Sequence, residues 1–440
     1  MKIAILGGGE SGVGSAILAH SKGYDVFLSD YGNIADKYKQ MLNDHNIEWE
    51  EGKHSLSRIL DADEVIKSPG IADETPVVEK IISANIPIVS EIEFAARFTK
   101  AKMICISGSN GKTTTTSLIY YIFKKAGLNV GLAGNIGRSL ALQVMEGKAE
   151  YYVIELSSFQ LDNMFDFRAD VAVLMNITPD HLDRYQYDMA RYADSKMRII
   201  QNQTPKDFFI YWSQDEYIEK LLKQSETNTP PAPTPSSRPA AKGNPHRCGF
   251  TDEDFSRLGL SFSQPGVHNQ RNAMAAFLAA KAVGIDENIV RQCLTDFPGV
   301  EHRLEKVAVV DGVTYINDSK ATNVDACHVA LKAINAPIVL IVGGKDKGND
   351  YTVLYDIIKE KCSALVYLGA DNQKLHDSFD QLGIDTADTH SMAECVEACR
   401  KFATPGTNVL LSPCCASFDL FKNMEDRGEQ FKSLIRNIKA

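Results

Sequence analysis

Lys102-Met103-Ile104-Cys105-Ile106-Ser107-Gly108-Ser109-Asn110-Gly111-Lys112-Thr113-Thr114 joins a β-branched apolar run to a glycine turn. A helical pattern follows, with Leu118, Ile119, Ile122 and Phe123 on one side. Strand, glycine turn and helix in that order describe a parallel α/β unit with an anion-binding turn. Backbone N–H groups of the turn can cradle phosphates, Lys112 can neutralise β/γ oxygens, and the Thr113 hydroxyl can reach Mg²⁺. The full phosphate-loop spacing asks for glycine at 106, where Ile106 stands, so this is a shortened G-x-x-G-K-T form.

Outward from this turn the same alternation recurs. Tyr151–Leu156 and Val171–Met175 lack polar alternation and read as fully buried strands. Glu155 closes the first, Asn176 follows the second, and Thr178-Pro179-Asp180-His181 comes next. Ligands of open α/β sheets bind at the carboxyl ends of strands, which makes Glu155 and His181 candidate Mg²⁺ or substrate groups. Lys196 reads as a mid-helix residue. Before residue 98, strands are expected at Lys2–Leu6, Asp25–Asp30, Asp63–Lys67 and Ile86–Val89, and Ser90 with Glu93 reads as a capping box. Gly7-Gly8-Gly9-Glu10-Ser11-Gly12 follows the first strand and Asp30 ends the second, a fingerprint for a nucleotide diphosphate and its ribose. After Phe297-Pro298-Gly299, strands are expected at Val307–Val310, Ile338–Val342, Ala364–Leu368 and Asn408–Leu411. The expected organisation is α/β in three domains, 1–97, 98–299 and 300–440. Residues 224–245 hold six of the sixteen prolines and read as a solvated loop.

Composition narrows the function. The chain has 440 residues, 44% apolar and 24% charged, with a net charge of 47 − 57 = −10. Such a balance disfavours nucleic acid and anionic membranes as partners. No apolar run approaches the ~20 residues that span a bilayer. Nine cysteines without a CxxC pair read as free, mostly buried thiols in a reducing cytoplasm.

Taken together, the motifs resemble the Mur ligases. Ser109–Thr114, Gly134-Asn135-Ile136-Gly137, Glu155–Leu161, Asp180-His181-Leu182-Asp183-Arg184, Gly266–Ala273, Glu301-His302-Arg303 and Asn317-Asp318-Ser319-Lys320-Ala321-Thr322-Asn323 occur in that family's order across most of the chain. Leu411–Asn423 resembles the branch of the family that adds D-glutamate. The resemblance implies a Rossmann-like N-terminal domain, a central P-loop-type ATPase domain and a Rossmann-like C-terminal domain. It implies a monomeric cytoplasmic enzyme of peptidoglycan precursor synthesis that uses ATP and two Mg²⁺ ions. The carboxylate of UDP-N-acetylmuramoyl-L-alanine would be phosphorylated, and D-glutamate would attack the acyl phosphate.

Site roles follow from the same resemblance. Gly108, Asn110, Gly111, Lys112, Thr113 and Thr114 would hold the ATP phosphates. Asn272, Arg303 and Asp318 would provide the remaining nucleotide contacts. Thr113, Glu155, His181 and a carbamylated Lys196 would serve the metal ions. Ser11, Asp30, Gly70 and Asn135 would meet the UDP substrate. Thr322, Lys347, Ser417 and Phe418 would form the D-glutamate pocket, with Lys320 near the reacting carbonyl. Some members carry Thr-Arg after the strand-ending acid, where this chain has Tyr31-Gly32. Another amino-acid-adding Mur ligase or a folylpolyglutamate-synthetase-like enzyme is the alternative within the class. An NAD-dependent oxidoreductase would leave Gly111-Lys112-Thr113 idle, and a non-enzymatic nucleotide-binding regulator would not need the lysines of the third segment.

Overall fold

A computed structural model describes residues 1–180, 182–227, 244–346 and 348–438; His181, Lys347 and most of the proline-rich stretch lie outside the described residues. Three sheets form. The first comprises β1 (Lys2–Leu6), β2 (Asp25–Ser29), β3 (Glu48–Glu50), β4 (Glu64–Lys67) and β5 (Ile88–Val89), in the order β3-β2-β1-β4-β5. The second comprises β6 (Lys102–Ser107), β7 (Val130–Gly134), β8 (Tyr151–Glu155), β9 (Val171–Leu174), β10 (Phe208–Trp212) and β11 (His246–Phe250), in the order β11-β10-β9-β6-β8-β7. Both are parallel throughout. The third comprises β12 (Glu305–Val310), β13 (Val313–Asn317), β14 (Ile338–Gly343), β15 (Cys362–Leu368), β16 (Asp385–Thr389) and β17 (Asn408–Cys414), in the order β12-β13-β17-β14-β15-β16. Only its β12–β13 hairpin is antiparallel.

The strands read from apolar runs are present, within a few residues at their ends. Those that sequence reading passed over are mostly edges: β3, β7, β11 and β16. An edge strand packs on fewer neighbours and needs no continuous apolar run. Residues 224–227, expected to be loop, instead finish the helix Glu216–Thr227. Lys196 lies in the last turn of the helix Met189–Met197 rather than mid-helix. Among the described residues no helix is long and apolar enough to cross a membrane. The cysteines are free, and all but Cys248 are buried.

The chain separates into two compact units, Met1–Phe297 and Pro298–Ala440. Within the first, the helix Glu10–Ser21 of the first sheet packs on the helix Leu140–Glu146 of the second. The approach is close: a Cβ at Gly14 would lie 2.1 Å from Ser139 Oγ. Ser139 Oγ and Ala141 N donate to the buried Glu91 Oε1 at 2.6 and 3.0 Å. Burial nevertheless pushes the Glu91 carboxyl above its ordinary range.

The expected capping box at Ser90 is half formed. Ser90 Oγ accepts from Glu93 N at 3.1 Å, but Ser90 N donates to Asn163 O. The Glu93 carboxylate instead accepts from Phe165 N, Asp166 N and Phe167 N at 3.0, 3.1 and 3.0 Å. A buried carboxylate gains more from three backbone donors than from one, and this one pins a loop of the second sheet to the first. Glu93→Ala is expected to destabilise the protein by about 3 kcal/mol in urea unfolding, because the backbone donors lose a charged acceptor. A loss under about 1 kcal/mol would show the pin to be dispensable.

Candidate active site

β6 lies between β8 and β9, so the Gly108–Lys112 turn leaves the second sheet where connections diverge to either side. Gly111 caps the helix Lys112–Lys125 with φ +82°, and a Cβ there would lie 2.5 Å from Asn272 Oδ1. Only glycine suits both demands. The turn is held from outside. Asn176, just past β9, accepts from Asn110 N at 2.8 Å and donates to Asn110 O at 3.0 Å. Ser109 Oγ donates to Thr178 O at 2.8 Å and lies 3.0 Å from the Tyr192 hydroxyl. Asn272 Oδ1 accepts from Thr115 Oγ1 at 3.2 Å, and its amide donates to Asn269 at 3.1 Å. The side chain expected to contact the nucleotide therefore also buttresses the phosphate-loop helix.

Two lysines converge on this turn. Lys112 Nζ donates to Gly108 O and Ser109 O at 2.8 and 2.9 Å. Lys196 Nζ donates to the same Gly108 O at 2.8 Å and lies 4.6 Å from the Tyr192 ring centre. Lys196 is buried, and burial, followed by repulsion from Lys112, pushes its amino group down to about 7.

Glu155 ends β8 in register with Ile106, the residue before the turn strand finishes. Its buried Oε1 accepts from Asn135 Nδ2 at 2.9 Å. Among the described residues, Glu155 Oε2 has no hydrogen-bond partner, nor does the buried Thr114 Oγ1 in the adjacent helix. A carboxylate oxygen buried without a donor fits a cation ligand. The second sheet thus brings together Gly108–Thr114, Asn135, Glu155, Lys196 and Asn272.

The first sheet brings Ser11, Asp30 and Gly70 to its carboxyl edge. Asp30 accepts from Gly8 N and Gly32 N at 2.5 and 2.7 Å, which locks the glycine turn.

The second unit gathers the remaining described candidates. Asp318, following β13, accepts from Leu304 N at 3.1 Å and Ser412 Oγ at 2.8 Å. Burial pushes its carboxyl up to about 7, against the charge of Arg303 and the Ser412 bond. Lys320 N donates to His302 O at 3.0 Å, and Thr322 N to Lys320 O at 2.9 Å. Ser417 is buried, whereas the neighbouring Phe418 is 67% exposed. Arg427, buried in the last helix, donates to Ser319 Oγ, Ser319 O and Cys415 O at 2.9, 2.8 and 3.1 Å. It thereby ties the Asp318–Lys320 segment to the one bearing Ser417. Glu301, His302 and Glu429 have a metal-site donor set. Lys432 Nζ already lies against Glu301, against Glu305 at 3.4 Å and against Glu429 at 2.6 Å, and supplies the cation there.

Sequence reading singled out Asn176 only as a strand end and did not single out Tyr192 or Arg427. Asn176 could have been found as a polar residue directly after a buried strand. Arg427 carries no such signal, since a basic residue on an amphipathic helix ordinarily faces solvent.

Family models describe the chain in three parts. A MurD N-terminal domain matches residues 2–77, a Mur ligase middle domain residues 106–280, and a Mur ligase glutamate ligase domain residues 302–415. The chain belongs to the Mur ligase family. The UDP-N-acetylmuramoylalanine–D-glutamate ligase of Bacteroides fragilis is 56% identical over 99% of this chain and 100% of its own. The ligases so named in Bacteroides thetaiotaomicron and Porphyromonas gingivalis are 55% and 51% identical over 99% of this chain, and cover 100% and 98% of their own. Among solved Mur ligases, the UDP-N-acetylmuramate-alanine ligase of Thermotoga maritima shares the fold, with a TM-score of 0.61 at 18% identity over 100% of this chain and 99% of its own. A UDP-N-acetylmuramoyl-L-alanyl-D-glutamate–2,6-diaminopimelate ligase gives 0.55 at 16% identity, over 94% and 93%.

Lys196 has a measurable consequence in this Mur ligase. Its folded-state value of about 7 lies below the ordinary 10.5, so the unfolded chain binds more protons between them. The contribution to stability is complete above 10.5 and is lost as pH falls through about 7. The unfolding free energy of the parent relative to Lys196→Met is expected to rise by up to about 1.4 kcal/mol per pH unit between those limits. A flat difference in urea titrations of the CO₂-depleted protein at pH 7.5, 8.5 and 9.5 would contradict the burial of this amine.

Proposed function

We propose that the chain catalyses ATP-dependent addition of D-glutamate to UDP-N-acetylmuramoyl-L-alanine. The convergence of Lys112 and Lys196 on Gly108 O carries this reading, together with Glu155 Oε2, which has no partner among the described residues. Two basic groups on one carbonyl form a focus for anion binding that a structural turn does not need. The names of the relatives above supply the substrates.

A carboxylate is a poor electrophile toward an amine. Transfer of the γ-phosphoryl of ATP to it gives an acyl phosphate, with ADP leaving. The D-glutamate amine attacks the carbonyl carbon, phosphate departs with the C–O electron pair, and one amine proton is lost. Lys112 turns from the Gly108 and Ser109 carbonyls to the phosphate oxygens, and the turn amides fix the phosphoryl group in line. Gly108, Asn110, Gly111, Thr113 and Thr114 shape that cradle. Asn272, Arg303 and Asp318 contact the nucleotide. Ser11, Asp30, Gly70 and Asn135 hold the UDP substrate. Thr322, Lys347, Ser417 and Phe418 hold D-glutamate, and Lys320 stabilises negative charge on the reacting carbonyl oxygen.

Thr113, Glu155, His181 and Lys196 as its carbamate are the residues that would hold two Mg²⁺ ions, which neutralise the triphosphate and the charge developing in transfer. The lowered value of Lys196 supports carbamylation, because the neutral amine attacks CO₂, forming an N–C bond and releasing one proton. The enzyme acts as a cytoplasmic monomer, without nucleic acid or membrane insertion.

Phosphate release with ATP, UDP-N-acetylmuramoyl-L-alanine and a panel of amino acids tests the reaction. Activity is expected with D-glutamate and not with L-alanine or diaminopimelate, and Lys112→Ala is expected to lower turnover by at least about 1000-fold. Turnover near the parent's in that variant would remove Lys112 from phosphoryl transfer. For Lys196, ¹³C-bicarbonate is expected to give a carbamate resonance in the parent that is missing in Lys196→Ala. An identical spectrum from both would sink the modification.

A further inference from the structure

The turn that leads into β12 has a backbone its residue types resist. His302 and Leu304 both adopt left-handed φ, +61° and +46°. A Cβ makes that region costly, and a bulky side chain makes it more so. Such strain persists only where surrounding contacts over-determine it. Arg303, proposed above as a nucleotide contact, lies between the two strained residues.

The turn is bonded at each of its residues. His302 N donates to Glu305 Oε2 at 2.9 Å, Arg303 N to Val300 O at 3.1 Å and Leu304 N to Asp318 Oδ1 at 3.1 Å, while His302 O accepts from Lys320 N. The buried His302 ring is fixed as well. Glu305 and Asn317 face each other across the β12–β13 hairpin. Asn317 Oδ1 accepts from Ser319 N at 3.1 Å, which fixes the sense of its amide. Its nitrogen donates to Glu305 Oε2 at 3.0 Å and to His302 Nδ1 at 2.9 Å. A Cβ at Gly428 would overlap His302 Nδ1, so glycine lets the last helix approach the ring.

Glu305 Oε2 therefore accepts twice within this network, and a cation holds the other oxygen of that carboxylate. Lys432 is buried in the helix Met424–Ile438. Its Nζ lies 3.4 Å from Glu305 Oε1, 2.6 Å from Glu429 Oε1 and against Glu301 at the start of the turn. Packing alone would be served by an apolar side chain at this buried position, without the cost of desolvating an ammonium. Without the cation, three carboxylates would face one another, and repulsion would draw the partly exposed Glu301 and Glu305 toward solvent. The strained turn would then lose the acceptor of His302 N.

We propose that Lys432 is a positioning residue for nucleotide binding. Acting through Glu305, it holds the left-handed turn that presents Arg303 to the nucleotide. The inference rests on the reading of Arg303 as a nucleotide contact. The proposed contacts of D-glutamate and of the UDP substrate lie outside this turn and do not depend on Lys432.

Calorimetric titration of the full chain with ADP and Mg²⁺ tests it, on the parent, Lys432→Met, Glu305→Gln, the double variant and Arg303→Ala, each checked by thermal melting. Lys432→Met is expected to weaken ADP about tenfold. Glu305→Gln should do the same, because its amide nitrogen must face either Lys432 or the donors His302 N and Asn317 Nδ2. With Met at 432 that nitrogen meets no cation and the oxygen keeps His302 N, so the double variant should bind no more weakly than either single one. In steady state the KM for ATP should rise by more than kcat falls, while those for D-glutamate and UDP-N-acetylmuramoyl-L-alanine stay within about twofold. If Lys432→Met does not fold, Glu305→Gln carries the test. Binding of ADP by the folded variants within about twofold of the parent, with Arg303→Ala weakened, would overturn the inference and leave Arg303 at the nucleotide. ADP binding by Arg303→Ala equal to the parent's would remove Arg303 from the nucleotide site, and the inference with it.

Discussion

Two lysine amino groups donate to a single carbonyl oxygen, that of Gly108, at the end of a buried parallel strand. Repulsion between nearby cations grows as water is removed, and here it adds to the cost of burying Lys196. Two responses lower that cost. An anion can enter between the cations, or the amine of Lys196 can give up its proton. Phosphate binding is the first response and carbamate formation begins with the second, so one electrostatic conflict underlies both proposals. The unpaired oxygen of Glu155 is its counterpart of opposite sign.

Such a site works only if it cannot relax. Collapse of the turn would let the lysines separate and the carboxylate find a donor. Asn176, Ser109 with Tyr192, and Asn272 hold the turn from different elements, which commits the geometry before any ligand arrives. Arg427 does comparable work in the second unit by tying two loop segments through three bonds to oxygen. The net charge of −10 describes the molecular surface, and the cationic residues of these turns are the local exception to it.

Legibility in sequence followed how local each signal was. The turn Gly108–Thr114, the strand-ending Glu155 and Asp30, and the buried runs of β8 and β9 could be read because strand, turn and helix chemistry lie within a few residues of one another. Edge strands such as β3 and β16 could not, since exposure removes the apolar pattern. Glu93 was misassigned for a related reason. Its spacing from Ser90 matched a capping box, while its true partners lie more than 70 residues away.

The sequence by itself determined the parallel α/β character of the chain, its glycine turns and the residue types at strand ends. These depend on propensities, periodicity and local hydrogen bonding. Only the tertiary structure decided that Lys196 shares a carbonyl with Lys112, and that Glu155 Oε2 has no partner among the described residues. Each depends on desolvation and on hydrogen bonds between distant segments, and these exist only after the sheets have brought those segments together.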